Sequence, residues 1–330
     1  MRTSLAKSRR VVVKVGTSVV TRPDGALALG RLGSLVEQIY ELRLQGRQVL
    51  LVSSGAVGLG AERLGIERAR TVLDKQASAA AGQGALMALY DALAQRVGLR
   101  CAQVLLTAED FQNRKRYLSL RETLERLLEL GALPIINEND VVSRAGLEPE
   151  HRLVFGDNDR LAALVAGGLE ADLLLLLTDV DGLLTAPPGT PGAQRVPLYD
   201  EAAQVLFGAA SAGGTGGMEA KVEAARVATL AGVPVVITSG REPDVVRRVV
   251  EGEDLGTLFP AAGRGDARRR WLQFATAPAG ALHVNAGAHS ALLDRKASLL
   301  PVGVERVEGE WEAGAVVRVL VDGQELGRGV

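Results

Sequence analysis

Two lysines stand where lysine is costly. Lys14 interrupts an apolar run, Val11-Val12-Val13-Lys14-Val15. An amine buried among valines has to meet an anion; the plainer reading is an edge-strand side chain reaching solvent. Lys221 follows Gly213, Gly214, Gly216 and Gly217 in "GGTGGMEAKVEAA". It falls in about the first turn of a predicted helix, where a cation opposes the helix dipole. A polyphosphate would give it a reason to be there; the plainer reading is a solvated lysine behind a glycine loop. Around them lie short hydrogen-bonding groups. Asn137, Glu138, Asn139 and Asp140 close the run "LPII", Asp157, Asn158 and Asp159 precede a helix, and Thr178, Asp179 and Asp181 follow "LLLLL". Capping explains one member of the 157–159 trio, not three. Gly16-Thr17-Ser18 and Ser53-Ser54-Gly55 add main-chain N–H groups and hydroxyls of the kind that receive anions. No Ser-His-Asp, Cys-His or paired-His pattern accompanies them. Amines, anion loops and amides without a covalent catalyst suit phosphoryl transfer, which depends on positioning and charge neutralisation. Neither G-x-x-x-x-G-K-[ST] nor a post-strand G-x-G-x-x-G is present, so an ATP site would use another arrangement.

The elements that must position these groups alternate through the first ~250 residues, with runs of about five apolar residues separated by longer amphipathic stretches. Strands are predicted at 11–15, 48–52, 102–106, 133–137, 173–177 and 234–238. Several lack a polar alternate, as expected when both faces are covered. Helical patterns include "GRLGSLVEQIYELRLQG", "DKQASAAAGQGALMALYDALAQR" and "YLSLRETLERLLELG", and glycines at 46, 131 and 232 follow helices as left-handed caps. Strand, helix, strand in this order predicts an α/β fold with a mainly parallel sheet, and ligands beyond the strands' carboxyl ends. Near residue 260 the texture changes. "FPAAGRGDARRRW" reads as a linker, and a small, mostly β, barrel-like domain follows, with "VDGQ" as a hairpin turn. The expected division is 1–260 and 261–330.

Composition narrows the rest. The chain has 330 residues with 47% hydrophobic residues, enough for two domains. A net charge of −1 gives no basic field for nucleic acid. No run approaches the ~20 apolar residues of a membrane span, and the amino-terminal apolar run is too short for a secretion signal. The single cysteine, Cys101, excludes an internal disulfide and fits a cytoplasmic location. His151, His283 and His289 have no metal-ligand spacing, so no protein-held metal is expected.

Taken together, "VVVKVGTSVVT", "VSSGAVGLG", "INEND", "FGDNDRLAALVA", "LLLLTDVDGL" and "GTGGMEAKVEAA" resemble, in order and spacing, the amino acid kinase family, and within it the glutamate 5-kinases. The tail "RRRW…LLPVGVERVEGEWEAGAVVRV" resembles a PUA domain. The resemblance implies an αβα sandwich and transfer of a phosphoryl group from ATP, carried with Mg²⁺, to the γ-carboxylate of L-glutamate, the opening step of proline synthesis. It implies that Lys14 and Lys221 contact the moving phosphoryl group and that Asp157 holds them. It implies that Ser54, Asp140 and Asn158 bind glutamate, helped by Asn137. Thr178, Asp179, Thr215, Gly216, Gly217, Met218 and Lys221 would bind the nucleotide. Gly16 and Gly55 would let main-chain N–H groups approach the phosphates. Feedback by proline, a homo-oligomer (dimer or tetramer) and contact with the glutamyl phosphate reductase follow from the same resemblance. The connector "VVSRAGLEPEHRLVFGDND" is expected to form the proline-sensing loop and part of the subunit contact. The tail is expected to stop short of the family's usual PUA domain, leaving the barrel incomplete or closed differently. Two other readings stand beside this one. A sibling kinase for acetylglutamate, aspartate, carbamate or a nucleoside monophosphate would share fold and lysines. An RNA-binding protein would rest on "ARRRW" and the tail.

Overall fold

The computed structural model describes residues 1–22, 24–67, 69, 71–142, 158–186, 189–200, 217–261, 278–294, 297–311, 313 and 315–329. Seven strands form the larger sheet: β1 (Arg10–Val15), β2 (Gln48–Ser53), β3 (Arg100–Leu106), β4 (Ala132–Glu138), β5 (Leu173–Thr178), β6 (Val235–Ser239) and β7 (Thr257–Phe259). Their order is β3-β4-β2-β1-β5-β6-β7, parallel except for β7, which runs antiparallel to β6. From β1 the chain moves first toward β2, β3 and β4, then crosses back to β5 on the other flank. The crevice where connections diverge this way is where open α/β sheets bind ligands.

The helices on this sheet are α1 (Thr17–Val20), α2 (Leu29–Leu44), α3 (Ala56–Leu64), α4 (Val72–Arg96), α5 (Glu109–Gln112), α6 (Arg114–Glu129), α7 (Asn158–Gly168), α8 (Met218–Leu230) and α9 (Val245–Val250). Strand parity sorts them into two layers, because successive side chains point to opposite faces. Val12, Leu50, Val52, Ile136, Leu174 and Leu176 pack with α6, α7 and α8. Val11, Val13, Val15, Leu51, Ile135, Leu175 and Leu177 pack with α2, α4 and α9. The sheet is thus covered on both faces except at the edge strand β3, which is why its inner strands read as unbroken apolar runs.

The crossing of α3 over α4 fixes the β2–α3 turn. A Cβ on Gly82 would lie 1.9 Å from the Ala56 carbonyl oxygen, and one on Gly60 would lie 1.6 Å from that of Ser78. Backbone meets backbone there, so a methyl group cannot be absorbed by a side-chain shift. Gly82→Ala is expected to destabilise the fold by about 1–3 kcal/mol or more, read as a lowered thermal midpoint.

The second sheet contains β8 (Ala281–Val284), β9 (Val304–Glu308), β10 (Val317–Val321) and β11 (Gln324–Gly329), with α10 (Ala286–Asp294) after β8. Its order is β11-β10-β8-β9, with β8 and β10 parallel and the outer pairs antiparallel. Asp322 and Gly323, at φ 48° and 79°, make the predicted hairpin turn. Among the described residues the outer strands β9 and β11 are not paired with each other, so this sheet is open. Residues 262–277, which hold most of the linker-like stretch with its arginine run, lie outside the described residues, as do residues 143–157 of the 141–159 connector. Among the described residues, no helix is long and apolar enough to cross a membrane.

Candidate active site

Parity also aims Lys14. It shares a strand face with Val12 and so points toward α7 and α8, at the carboxyl end of the central strand. It is 3% exposed, and its Nζ lies 2.6 Å from Asp159 Oδ1. Lys221, in the fourth helical position of α8, places its Nζ 3.2 Å from Asp159 Oδ2. Two ammonium groups 207 residues apart in sequence therefore meet on one carboxylate that is 1% exposed. The expected bridging residue, Asp157, lies outside the described residues, as do Thr215 and Gly216; the observed bridge is Asp159. Arrival of both amines at one buried point settles how lysine is tolerated at these positions: each is paired, and neither reaches solvent freely.

Beside this pair the ends of β2, β4 and α7 are tied by amides. Asn158, the first residue of α7, donates from Nδ2 to Ser54 Oγ at 2.9 Å, to Asn137 Oδ1 at 2.9 Å and to the Ser53 carbonyl at 3.2 Å. Asn137 belongs to the opposite parity from Ile136, so it faces α4, where its Nδ2 donates to Gln83 Oε1 at 2.8 Å. Ser54 N–H donates to the Val15 carbonyl at 3.1 Å, continuing the β1–β2 ladder into the turn. Gly55 then turns into α3 at φ 113°, where a Cβ would press on Val20 at 3.0 Å. The first N–H groups of α3 are left without intrahelical partners at this end of the sheet. Asp140, two residues past β4, is partly buried, and burial raises its carboxyl pKa above the ordinary value, with Lys75 of α4 opposing the shift.

On the other flank Thr178 ends β5, buried at 3% exposure, and its hydroxyl donates to Asp179 Oδ1 at 3.1 Å. Gly16 caps α1 and donates its N–H to the Leu177 carbonyl at 3.2 Å. Gly217 caps α8, and Met218 begins it. The predicted residues within the described set thus gather at the carboxyl ends of β1, β2, β4 and β5 and at the starts of α1, α3, α7 and α8. Asp159 and Gln83 are the two contributors that sequence reasoning assigned no role. Asp159 carried a signal as one of three polar residues at a helix start; Gln83, in an Ala- and Gly-rich helix, carried none.

The geometry combines paired amines at one end with amides, a hydroxyl and a carboxylate at the other. It can hold a small acceptor with its reacting oxygen turned toward the amines. Among the described residues no group of three or more His, Cys, Asp or Glu side chains converges as a metal cage. Comparison with known proteins agrees with this architecture. The amino acid kinase family model matches residues 9–239, and the PUA domain model matches residues 280–330. The chain is 50% identical over 329 residues to the glutamate 5-kinase of Deinococcus radiodurans, covering 97% of this chain and 89% of that one. It is 49% identical to the glutamate 5-kinase of Gloeobacter violaceus, covering 96% and 86%, and 46% identical to that of Moorella thermoacetica, covering 100% and 88%. A UMP kinase from Bacillus anthracis shares the fold at a TM-score of 0.52 and 18% identity, covering 78% of this chain and 97% of that one. With most of its length matched to that family and about half its residues shared with those relatives, the chain belongs to the amino acid kinase family, among the glutamate 5-kinases, and carries a PUA domain.

Proposed function

We propose that this protein transfers the γ-phosphoryl group of ATP to the γ-carboxylate of L-glutamate, forming L-glutamyl 5-phosphate, the first step of proline biosynthesis. The observation that carries the reading is the meeting of Lys14 and Lys221 on Asp159 beside the Ser54–Asn158–Asn137 amide cluster. The two amines offset charge as it spreads over the transferring oxygens. Asp159 sets their separation, and Asp157, two residues before it, is kept in the reading as a further carboxylate that holds the lysines. The acceptor carboxylate is already ionised near neutral pH, its reference pKa being about 4.3, so no general base is needed. Ser54 and Asn158 hold the amino-acid end with Asp140, whose carboxylate meets the α-ammonium. Asn137 steadies Asn158, and Gly55 brings main-chain N–H groups close. Thr178, Asp179, Gly16 and the segment Thr215, Gly216, Gly217, Met218 to Lys221 take the nucleotide.

The protein's donors here are amines, amides and hydroxyls, and the buried Asp159 carboxylate is taken up by both lysines. That set fits Mg²⁺ arriving on the triphosphate, with phosphate oxygens and water as its main ligands. When bound, the ion would neutralise phosphate charge, with Asp179, beside Thr178, as a carboxylate of the nucleotide flank. Further parts of the reading are a kinase domain over 1–260 and a PUA-like domain over 261–330, a cytoplasmic location, a homo-oligomer, inhibition by proline, and product passed to the glutamyl phosphate reductase.

The test is ATP consumption with hydroxylamine trapping of the acyl phosphate, comparing glutamate with acetylglutamate. Hydroxamate from glutamate is the expected result. Turnover of acetylglutamate alone would move the assignment to a sibling kinase, since an N-acetylated substrate has no ammonium for Asp140. Asp140→Asn is expected to raise the KM for glutamate about tenfold or more, the worth of a charge-assisted hydrogen bond. In the parent enzyme, burial has lifted this carboxyl pKa above 3.8. It therefore protonates earlier on acidification than an exposed Asp, and KM should rise as pH falls. The Asn variant should lose that part of the pH profile.

A further inference from the structure

Gln83 lies in the middle of α4, a helix that the sequence marks only as amphipathic. Its Oε1 accepts from Asn137 Nδ2 at 2.8 Å. Asn137 Oδ1 in turn accepts from the Glu138 main-chain N–H at 2.9 Å and from Asn158 Nδ2 at 2.9 Å. Asn158 Nδ2 continues to Ser54 Oγ at 2.9 Å. The direction of every link follows from one fixed group. A main-chain N–H can only donate, so Asn137 must offer it oxygen and turn its nitrogen toward α4. Only an acceptor can meet that nitrogen, and Gln83 supplies one. The same Asn137 oxygen turns Asn158 nitrogen-inward, leaving its Oδ1 to face away from the relay. Ser54 Oγ, having accepted from Asn158, has its own proton left to donate elsewhere.

Gln83's nitrogen shows which of its atoms matters. Nε2 is buried and makes no hydrogen bond among the described residues. A buried unsatisfied donor is costly, and an apolar side chain of similar length would avoid that cost. The contribution of this amide therefore lies in its oxygen. We propose that Gln83 is a positioning residue that anchors the far end of this relay, fixing Ser54 as a donor and Asn158 Oδ1 as an acceptor toward the amino-acid substrate. The inference rests on the reading of this pocket as the glutamate site. It adds that the pocket's polarity is set from α4, a helix outside the motif loops.

The test compares Gln83→Met, which removes the acceptor, with Gln83→Glu, which keeps an oxygen facing Asn137. In the Met variant the KM for glutamate should rise about tenfold, the scale of one hydrogen bond lost beside a charged ligand, with kcat and the KM for ATP within about twofold of the parent. The Glu variant should retain most of the parent's glutamate KM. Thermal midpoints of both report folding; if the Met protein does not fold, Gln83→Lys, a donor-only side chain, takes its place. An unchanged glutamate KM in the Met variant would overturn the proposal. So would equal impairment of the Met and Glu variants, or a KM for ATP that rises in step with that for glutamate. A parent enzyme that yields no hydroxamate from glutamate would instead remove the substrate reading beneath it.

Discussion

Replacing Asp159 with asparagine is expected to do two things at once: lower the thermal midpoint and nearly abolish turnover. The carboxylate is 1% exposed and stands 2.6 Å from one ammonium and 3.2 Å from another. Asparagine has the same shape and no charge. It leaves two amines close together in a poorly solvated place, and breaking a buried ion pair this way costs about 3–5 kcal/mol. At about 2–4 °C per kcal/mol for a domain of this size, the midpoint should fall on the order of 10 °C. Repulsion will also push the amines apart, and in the proposed mechanism their separation is what matches them to a transferring phosphoryl group. A loss of about 10²–10³ in kcat is the usual scale for removing one element of such electrostatic preorganisation. Thermal unfolding and single-turnover kinetics at a temperature where the variant is folded separate the two effects. A lowered midpoint with unchanged single-turnover rate would confine Asp159 to stability.

Much of this architecture is legible in the residues, and the failures have physical causes. Five of the six parallel strands were readable because both their faces are covered, so runs such as Leu173–Leu177 carry no competing polar period; the edge strand β3 is largely exposed and was read from its short apolar run alone. β7 was not, because three residues are too few to show any period. The helix α10 within a tail read as mostly β was missed for a related reason: "AGAHSALLD" has no strong apolar face to announce it. At the site, the lysines announced themselves by being in the wrong company. The carboxylate between them did not. The sequence offers Asp157 and Asp159, two residues apart, and does not itself say which carboxylate meets the amines. Helix phase would normally decide, but α7 is buried nearly all round, from Asp159 through Leu161–Ala166 to Gly168. A helix without a polar face gives its apolar pattern no direction. Gln83 lay further out of reach, since its meaning depends on a partner 54 residues away, on another element.

Lys221→Ala is expected to produce the opposite combination from the Asp159 variant: a protein as stable as the parent with turnover lowered about 10²–10³-fold. The stability argument has two parts. Lys14 remains 2.6 Å from Asp159, so the buried carboxylate keeps its closer partner. Lys221 also sits in the opening turn of α8, where a positive charge opposes the dipole; removing it relieves about 0.3–1 kcal/mol, and alanine is the better helix former. The kinetic argument turns on when the charge is needed. On the proposed reading the amine faces the point where phosphoryl oxygens gather charge, so its contribution is larger in the transition state than in the bound substrates. The loss should then appear in kcat, with the KM for glutamate changed by less than about threefold. Coupling to Asp159 gives an internal check. If the two act as one electrostatic unit, Lys221→Ala in an Asp159→Asn background should cost much less than in the parent, an interaction of about 0.5–3 kcal/mol in the double-mutant cycle. Additive losses would mean that Lys221 acts apart from the carboxylate it touches, and a KM effect equal to the kcat effect would place it in ground-state binding instead.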